Sequence, residues 1–371
     1  MQMPVCNSFK VWAIMLLAAA LAPAQTVWNG TADVSWYNTE QGSFEINTAE
    51  QLAGLAQLVN DGNCGDKLFT LGNDISLNDT TNWKDWATTP PTNSWTPIGK
   101  GRTNSFNGTF DGAGFVIGGV FINSSDDEQG LFGSTDMFSL ILNLGVTASY
   151  IKGADNVGGL VGWNFGTIYK SYAAGNVTGN NGVGGLVGHD NGTMYSITID
   201  NCYAAGNVTG NENVGGLVGL NYGGVTNSYA AGNVTGNDNV GGLVGQNNAI
   251  YNHVCMIVNS YAVGNITGNE NVGGLVGLDY DGSITSSYYN SETPGAGTYG
   301  TPKTTSELRQ QATYTDWDFN TIWAIDAAIN GGYPHLREFH PTSVFNDKFV
   351  RDGGARVAHV SVRGRTMFVN A

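Results

Sequence analysis

Residues 214–236 read VGGLVGLNYGGVTNSYAAGNVTG, and close copies of this stretch precede and follow it in the chain. The segment Gly-Gly-Leu-Val-Gly begins at five places, at intervals of 26, 31, 26 and 32 positions: Gly158, Gly184, Gly215, Gly241 and Gly273. The repeating unit therefore spans 26 positions, and two copies carry insertions of five and six. A fixed period of this length indicates a repeat architecture in which each unit stacks on the next.

Every unit contains the same short apolar segments, separated by Gly and Asn. One column of the aligned units holds tyrosine: Tyr172, Tyr203, Tyr229, Tyr261 and Tyr288. Such segments, rich in β-branched and aromatic residues, are typical of strands between turns. One unit cannot bury its own apolar face, but copies stacked about 4.8 Å apart can pair their backbones. We therefore predict an all-β fold, a right-handed parallel β-solenoid (β-helix) with about three short strands per 26-residue coil.

The segments that flank the repeats are predicted to cover the ends of the solenoid. Upstream, Thr48 and Gln51 form a capping box, and apolar residues then recur at helical spacing until Asp61, which predicts a small N-terminal capping helix. Downstream, a cluster of aromatic residues between Trp317 and Tyr333 is expected to close the other end. We divide the chain into a signal peptide at 1–24, an N-terminal cap with the helix at 25–64, irregular early coils at 65–142, the repeat solenoid at 143–292, a closing module at 293–338 and a basic tail at 339–371.

The N-terminal segment 1–24 is typical of a signal peptide. Lys10 precedes the apolar run Val11 to Leu21, and the small residues Ala-Pro-Ala follow at 22–24. That run is too short to cross a bilayer, and no later segment reaches the roughly 18 apolar residues of a transmembrane helix. We therefore predict a secreted or cell-surface protein. The formal net charge of −15 argues against nucleic acid as a partner, because phosphates require patches of Lys and Arg.

The repeat unit resembles a known bacterial repeat. Val-Gly-Gly-Leu-Val-Gly, an Asn and a Gly, and then Ser-Tyr-Ala-Ala-Gly-Asn-Val-Thr-Gly are similar to the GLUG repeat of bacterial adhesins and of streptococcal immunoglobulin-A peptidases, over about residues 143–289. The resemblance implies a surface location, a β-solenoid and an adhesive or spacer role, and it transfers no catalytic residue. Residues 360–369 also resemble the opening strand of a C-terminal sorting domain of secreted bacterial proteins, which implies a partial sorting segment, either truncated or vestigial.

The recurring polar side chains predict no catalytic residue, metal or cofactor. The His-Glu-x-x-His helix of zinc peptidases is absent from the sequence. One acidic column recurs at a turn, and we interpret it as a solubilising rim rather than a calcium site: Asp155, Glu212, Asp238 and Glu270. The tyrosine column is interpreted as an axial packing ladder. A column of asparagines is interpreted as an inward-facing ladder that stabilises the stack: Asn176, Asn207, Asn233 and Asn265.

One column differs from unit to unit, in the position directly after Gly-Gly-Leu-Val-Gly. It holds Trp163, His189, Leu220, Gln246 and Leu278. Packing does not dictate a residue type at this position, whereas the neighbouring positions repeat. Both insertions fall in one region of the unit, around 194–198 and 251–256, and are expected to bulge from one corner. We therefore predict that this column and the two insertions form a ligand-binding surface.

Two classes of function remain open at this stage. The leading hypothesis is a non-catalytic adhesin, ligand-binding or spacer module whose partner is an extracellular glycan or a surface protein. The alternative is a polysaccharide-active β-helix enzyme, a lyase or hydrolase, with its site in the irregular coils 83–128. The carboxylates available there are Asp85, Asp111, Asp126, Asp127 and Glu128. Phe-Asp-Gly at 110–112 is interpreted first as a turn, since Asp before Gly caps local backbone amides.

Overall fold

A computed structural model of the chain describes residues 26–337, except 65, 193–196, 250–254, 296 and 298, together with two short strands near the C terminus. These residues form a parallel β-solenoid with few helices, which confirms the predicted fold class. Within this described part, no helix is both long and apolar enough to cross a membrane. The predicted signal peptide lies outside the described residues, as does the predicted basic tail apart from the antiparallel pair Val360–Val362 and Arg365–Met367.

The strands of the solenoid form four parallel sheets, which we call sheets I to IV in the order in which a coil visits them. Sheet I contains Ser43–Ile46, Leu68–Leu71, Thr109–Asp111, Leu140–Leu142, Thr167–Tyr169, Ile197–Asp200, Gly224–Thr226, Met256–Val258 and Ser283–Thr285. Sheet II contains Ile75–Ser76, Val116–Gly118, Phe121–Asn123, Gly145–Lys152, Tyr172–Thr178, Tyr203–Ala204, Val208–Thr209, Tyr229–Ala230, Val234–Thr235, Tyr261–Ala262, Ile266–Thr267, Tyr288–Asn290 and Thr301–Lys303. Sheet III contains Val157–Gly158, Asn181–Gly184, Glu212–Gly215, Asp238–Gly241 and Glu270–Gly273. Sheet IV contains Phe132–Ser134, Val161–Asn164, Val187–Asp190, Val218–Asn221, Val244–Asn248 and Val276–Tyr280.

A typical coil holds five short strands, so the prediction of about three strands per coil was too low. The coil that begins at Tyr203 contributes two strands to sheet II and one each to sheets III, IV and I. Left-handed residues divide the coil, since Asn213 has a φ of 53° and Asn227 a φ of 45°. Asparagine tolerates this backbone conformation better than most residues, which explains why it recurs at these bends.

The interior of the solenoid is one continuous apolar core that runs from Phe44 to Tyr289. Val157 and Leu160 are both fully buried, so the chain bends at the glycine pair between them and turns both side chains inward. Each coil contributes a comparable set of small and branched aliphatic side chains. Burial of one such Val or Leu side chain contributes about 1.5–3 kcal/mol, so stability grows with every coil that is added to the stack.

The predicted helix, α1, spans Ala49–Asn60 and packs its apolar face into the solenoid core. The Thr48 hydroxyl accepts a hydrogen bond from Gln51 N at 3.3 Å, as expected for an N-cap. The Gln51 side chain accepts from Asn47 N at 2.7 Å, one residue before the position that a capping box requires. The helix therefore exists as predicted, with a shifted form of the predicted cap.

The tyrosine column stacks along the solenoid axis, but on the outer side of sheet II. Successive ring centroids lie 4.6 Å apart for Tyr172 and Tyr203, 4.8 Å for Tyr203 and Tyr229, and 5.1 Å for Tyr229 and Tyr261, with interplanar angles of 4°, 5° and 9°. The last rings are buried because the C-terminal segment packs against them in a second cluster with Trp317 and Trp323. The closing module therefore covers one side of the solenoid as well as its last coil, which differs from the predicted closure of the end alone.

The C-terminal segment is built from short elements. It contains α2 at Thr305–Leu308, single 3-10 turns at Gln311–Thr313 and Asn330–Gly332, and an antiparallel pair, Trp323–Ile325 with Pro334–Leu336. A further 3-10 turn lies in the early coils at Trp83–Asp85. The Tyr261 hydroxyl donates to Pro334 O at 2.5 Å, and Trp317 Nε1 donates to Ser286 O at 2.9 Å. These bonds attach the segment to the tyrosine column.

The predicted inward-facing asparagine ladder was wrong in its direction. Asn207, Asn233 and Asn265 are exposed, and Asn176 is half-buried. The column does bond along the axis, because Asn233 N donates to Asn207 Oδ1 at 3.2 Å and Asn265 N donates to Asn233 Oδ1 at 3.1 Å. Its contribution is therefore made at the surface, where water competes for the same groups.

Candidate ligand-binding face

The variable column predicted from the sequence lies in register on sheet IV. Trp163 pairs with His189, His189 with Leu220, Leu220 with Gln246, and Gln246 with Leu278. All five side chains are half-buried, whereas the Val and the Asn or Asp of the same strands are buried in the coils from Val161 to Asn247. The parallel stack thus brings together five residues that are spread over 116 positions of sequence, from 163 to 278.

Aromatic rings occupy the N-terminal half of this column. The ring centroids of Trp163 and His189 lie 5.3 Å apart with an interplanar angle of 17°, and those of His189 and Tyr222 lie 5.4 Å apart. Phe165 lies 5.3 Å from Trp163. We call these four side chains the aromatic row. Phe165 and Tyr222 occupy equivalent positions, two residues after the variable column, and the sequence analysis did not single them out.

Arg102 completes this end of the face. Its guanidinium carbon lies 4.2 Å from the Trp163 ring centroid and 5.4 Å from that of Phe165. Both distances are within the range of a cation–π interaction. Arg102 belongs to a turn between Lys100 and Asn104, whose backbones pair as an isolated antiparallel bridge. No local pattern in the sequence connects this turn with Trp163, so only the fold could reveal the contact.

The electrostatics of the row keep its histidine neutral. Burial, and secondarily the positive charge of Arg102, lower the pKa of His189 to about 4. The imidazole is therefore uncharged near neutral pH. Trp163 Nε1 and His189 Nε2 have no hydrogen-bond partner among the described atoms. Both atoms are buried, so they are not presented to a ligand on the outer surface, and their lack of a partner is a cost to the fold.

The C-terminal half of the face carries amides and a tyrosine. Gln246 and Asn248 both belong to the strand Val244–Asn248, and Asn248 Nδ2 donates to the Tyr222 hydroxyl at 3.4 Å. Asn248 pairs with Tyr280, whose side chain is 51% exposed. The face is thus aromatic at one end, amide-rich in the middle and aromatic again at Tyr280.

The corner between sheets IV and I borders this face. Both predicted insertions fall there, and their central residues, 193–196 and 250–254, lie outside the described residues. In the first coil with a sheet IV strand, the same corner carries Met137 and Phe138, which are 54% and 67% exposed. The Asp136 carboxylate accepts a hydrogen bond from Phe138 N at 3.2 Å and fixes this turn. Exposed apolar groups therefore continue beyond Trp163 toward the N terminus.

A buried polar ladder supports the face from behind. The residues immediately after the variable column form it: Asn164, Asp190, Asn221 and Asn247, which are buried, and Asp279, which is half-buried. Asn164 Nδ2 donates to Asp190 Oδ1 at 2.8 Å, and Asn221 Nδ2 donates to Asn247 Oδ1 at 2.7 Å. Burial raises the pKa of Asp190 to about 6, against the hydrogen bonds from Thr198 and Asn164. The repeated Asn or Asp in the sequence was the available signal for this ladder.

The acidic column is a surface rim. Glu212, Asp238 and Glu270 pair directly across sheet III and are exposed or half-buried. Asp155 Oδ1 accepts hydrogen bonds from Asn180 Nδ2 and Asn181 N, both at 3.1 Å. In the part of the chain that the structure describes, no group of three or more His, Cys, Asp or Glu residues could hold a metal ion.

The carboxylates of the alternative enzyme site lie on different parts of the early coils. Asp111 belongs to sheet I, and its Oδ1 accepts from Ala113 N at 2.8 Å and from Asn143 Nδ2 at 3.0 Å, as a turn residue does. Asp127 lies in the turn before sheet III, where its Oδ1 accepts from Asp155 N at 3.0 Å. Burial raises the pKa of Glu128. Asp126 precedes them in this turn, and Asp85 lies in the separate 3-10 turn.

The fold and this face together define a class: a parallel solenoid whose constant positions build the core and whose variable column lines one outer surface. More particularly, the family model described as the GLUG motif matches two segments of the chain, residues 153–178 and 210–235. This finding confirms the resemblance read from the repeats.

Two curated relatives match part of the chain. The chain is 35% identical over 147 residues to a "Putative Gly-rich membrane protein" of Evansella cellulosilytica, a match that covers 38% of this chain and 16% of the relative. It is 26% identical over 171 residues to Halomucin of Haloquadratum walsbyi, which covers 43% of this chain and 2% of the relative. The chain thus spans less than a fifth of the length of either protein. No solved structure matches the chain significantly.

Proposed function

We propose that this protein is a non-catalytic, secreted or cell-surface β-solenoid that binds an extracellular ligand along the outer surface of sheet IV. The observation that carries the proposal is the register of the variable column. Five residues whose type changes from coil to coil form one column on the outer face of sheet IV, from Trp163 to Leu278, and each of them is half-buried. This column borders the corner between sheets IV and I, where the sequence carries both insertions. Variation on a constant scaffold is the pattern expected of a recognition surface.

The proposed location rests on the signal-peptide pattern and on the relatives. One relative carries the words membrane protein in its name and the other is named Halomucin. The composition supports the same proposal, because charged residues make up only 12% of the chain and Gly contributes 54 positions. A polar surface of low charge density suits a module that is displayed in the extracellular medium.

The proposed lack of catalysis rests on how the carboxylates are distributed. Asp111 and Asp127 occupy different sides of the early coils, and each has a carboxylate oxygen that accepts hydrogen bonds within the fold. Cleavage of a glycosidic bond by paired carboxylates requires two groups roughly 5–9 Å apart around the substrate. Among the described residues, the surface that combines aromatic rings with amides is that of sheet IV, whereas the carboxylates of Glu212, Asp238 and Glu270 line the separate sheet III.

The proposal is tested by a solution-binding screen of the purified chain against glycans and extracellular matrix proteins. We expect retention on at least one class of ligand, and loss of that retention in a Trp163→Ala variant. Trp83→Ala is the matched control, because Trp83 is also half-buried but lies outside sheet IV. Retention that is equal in both variants would place the binding surface elsewhere. No retention of the folded chain on any ligand would leave the protein a spacer.

A further inference from the structure

The last coil of the solenoid leaves the edge of sheet I unpaired. Sheet II continues beyond this coil to Thr301–Lys303, and the last strand of sheet III is covered at Gly297, where an added Cβ would lie 2.2 Å from Val272 O. Sheet I ends at Ser283–Thr285, and within the described part of the chain no later segment hydrogen-bonds to this strand. An open strand edge is a place where a further strand can add through its backbone.

The ladder shows which backbone groups of this strand face the open side. Ser283 N donates to Cys255 O at 2.8 Å, and Asn259 N donates to Thr285 O at 3.3 Å, so these two groups of the strand face the preceding coil. Successive residues of a parallel strand bond to opposite sides. The N–H and C=O of Ile284 therefore face the open side.

A series of amides that bond from coil to coil also stops here. In three successive coils the N–H at the bend after sheet I donates to a carbonyl of the next coil, at 3.2, 3.0 and 3.3 Å: Asn201 to Thr226, Asn227 to Val258, and Asn259 to Thr285. Ser286 is next in this series, and its N–H has no acceptor among the described atoms. The edge thus offers the backbone groups of Ile284 and the amide of Ser286 to an added strand.

The core residue of this strand is also less covered than its equivalents. Ile199, Val225 and Ile257 occupy the same position in the three preceding coils and are fully buried. Ile284 is only half-buried, although it packs against the same core. A strand added at the edge would cover the rest of this side chain.

The charge near this edge is negative. No Lys or Arg occurs in the sequence between Lys170 and Lys303. Asp281, which is exposed, lies in the turn that leads into Ser283–Thr285, and the half-buried Asp279 precedes it. The local field therefore favours a strand that carries cations.

The chain itself contains a pair of strands with this charge. Val360–Val362 and Arg365–Met367 form an antiparallel pair joined by two residues, which we call the C-terminal ribbon. An isolated two-stranded ribbon is at best marginally stable in water, so it needs a further strand or a packed face. Residues 353–371, which include the ribbon, contain three arginines and no acid.

The connection to the ribbon is long enough to reach the edge. Trp317 Nε1 donates to Ser286 O at 2.9 Å, so the C-terminal segment already contacts the end of sheet I. The 22 residues between Arg337 and Val360 can span up to about 70 Å when extended.

We infer that the C-terminal ribbon adds to the open edge of sheet I at Ser283–Thr285 and closes this side of the last coil. Its backbone pairs with that of Ile284 and with the Ser286 amide, and its positive charge offsets that of Asp281. A second copy of the chain is the weaker candidate, because the same acidic end on two copies would repel.

The inference is tested by amide hydrogen exchange on the full chain, resolved to single residues. We expect the Ile284 and Ser286 amides of the wild type to be protected. With a two-residue connection, the pair formed by Ser361 and Thr366 directs its backbone groups outward from the ribbon. Replacement of both residues by proline removes the outward N–H groups, and is expected to speed exchange at Ile284 and Ser286 about tenfold, as the loss of one or two hydrogen bonds predicts. Replacement of both by alanine is the matched control, because alanine retains the N–H, and is expected to leave both rates unchanged.

A charge variant tests the electrostatic part. Asp281→Asn removes an exposed charge, and asparagine tolerates the left-handed φ of 56° at this position. It is expected to speed exchange of the Ser286 amide about twofold at low salt and to have no effect at high salt. The amide of Asn259 bonds within the solenoid, so its wild-type exchange rate in every variant verifies that the stack is folded.

Three results overturn the inference. Exchange of the wild-type Ser286 amide at the rate of an unfolded chain shows that the edge stays open. Protection that the double proline variant retains shows that the ribbon does not cover the edge. Protection that increases with protein concentration identifies a second copy as the occupant.

Discussion

The glycine of each Ala-Ala-Gly-Asn segment sets how closely the coils approach, and its replacement gives the sharpest test of the stack. A Cβ added at Gly232 would lie 1.8 Å from Gly206 O on the preceding coil, and real Cβ contacts below 3.0 Å essentially never occur. The φ of Gly232 is not in the left-handed region, so the cost of Gly232→Ala is steric. The two coils must move apart locally by at least the difference between these two distances before the contact becomes ordinary.

That separation breaks the ladder on both sides of the substitution. Ala231 N donates to Ala204 O at 2.9 Å, and Val208 N donates to Asn233 O at 2.9 Å. Loss of two such bonds with incomplete access to water costs about 1–2 kcal/mol each. We therefore expect Gly232→Ala to lower the free energy of unfolding by about 2–4 kcal/mol.

The assay is chemical denaturation followed by far-ultraviolet circular dichroism. Gly42→Ala is the matched control, because a Cβ at Gly42 meets nothing within 4 Å and its φ is also outside the left-handed region. The control is expected to change the free energy of unfolding by less than about 0.5 kcal/mol. Equal stability of the two variants would refute the argument that close approach of the coils requires glycine at this column.

Three further predictions concern charge and attachment. Burial raises the pKa of Asp190 to about 6, above its value in an unfolded chain, so the folded state takes up a proton at a higher pH than the unfolded state does. The free energy of unfolding of the wild type, relative to that of Asp190→Asn, should therefore rise as pH falls from 7 to 4. Chemical denaturation at each pH measures this difference. Tyr261→Phe removes the hydroxyl that donates to Pro334 O, and should cost about 1–3 kcal/mol and speed proteolysis of the C-terminal segment. Arg102→Gln should raise the pKa of His189, yet leave it below 6.5 because burial is the larger cause, as measured by NMR titration.

Each of these predictions has a result that contradicts it. A stability difference that stays constant between pH 7 and 4 would show that Asp190 does not take up a proton within the fold. Equal proteolysis rates for Tyr261→Phe and for Tyr280→Phe, which changes an exposed ring, would mean that the hydroxyl does not hold the C-terminal segment. A His189 pKa at its ordinary value in the wild type would place the imidazole in water rather than against Trp163.

Much of the solenoid could be predicted because residues that lie one repeat period apart in the sequence stack on each other in adjacent coils. Gly158 and Gly184 are one repeat period apart in the sequence and pair directly in sheet III. The same holds for Trp163 and His189 in sheet IV, so the variable column follows from the sequence alone. The period also indicates the position of the insertions, since a loop added to one corner leaves the register of the other strands unchanged.

The direction in which a column faces could not be predicted in the same way. Alternation along a strand assigns sides only while the strand stays straight, and left-handed residues such as Asn213 and Asn227 bend every coil. The asparagine column was assigned to the wrong side for another reason: burial alternates regularly along Tyr172–Thr178, so Asn207, which precedes the buried Val208, faces solvent, whereas Asn221 faces the interior.

The sequence by itself determined the period, the parallel stack, the N-terminal helix and the five residues of the variable column, because all of these follow from local spacing and from the need of each unit to bury its apolar face. Only the tertiary structure decided that the C-terminal segment covers the side of sheet II, and that Arg102 lies on Trp163. Both contacts join segments that share no period. Their geometry depends on how the bends of each coil orient its outer surface, and residue spacing carries no information on that orientation.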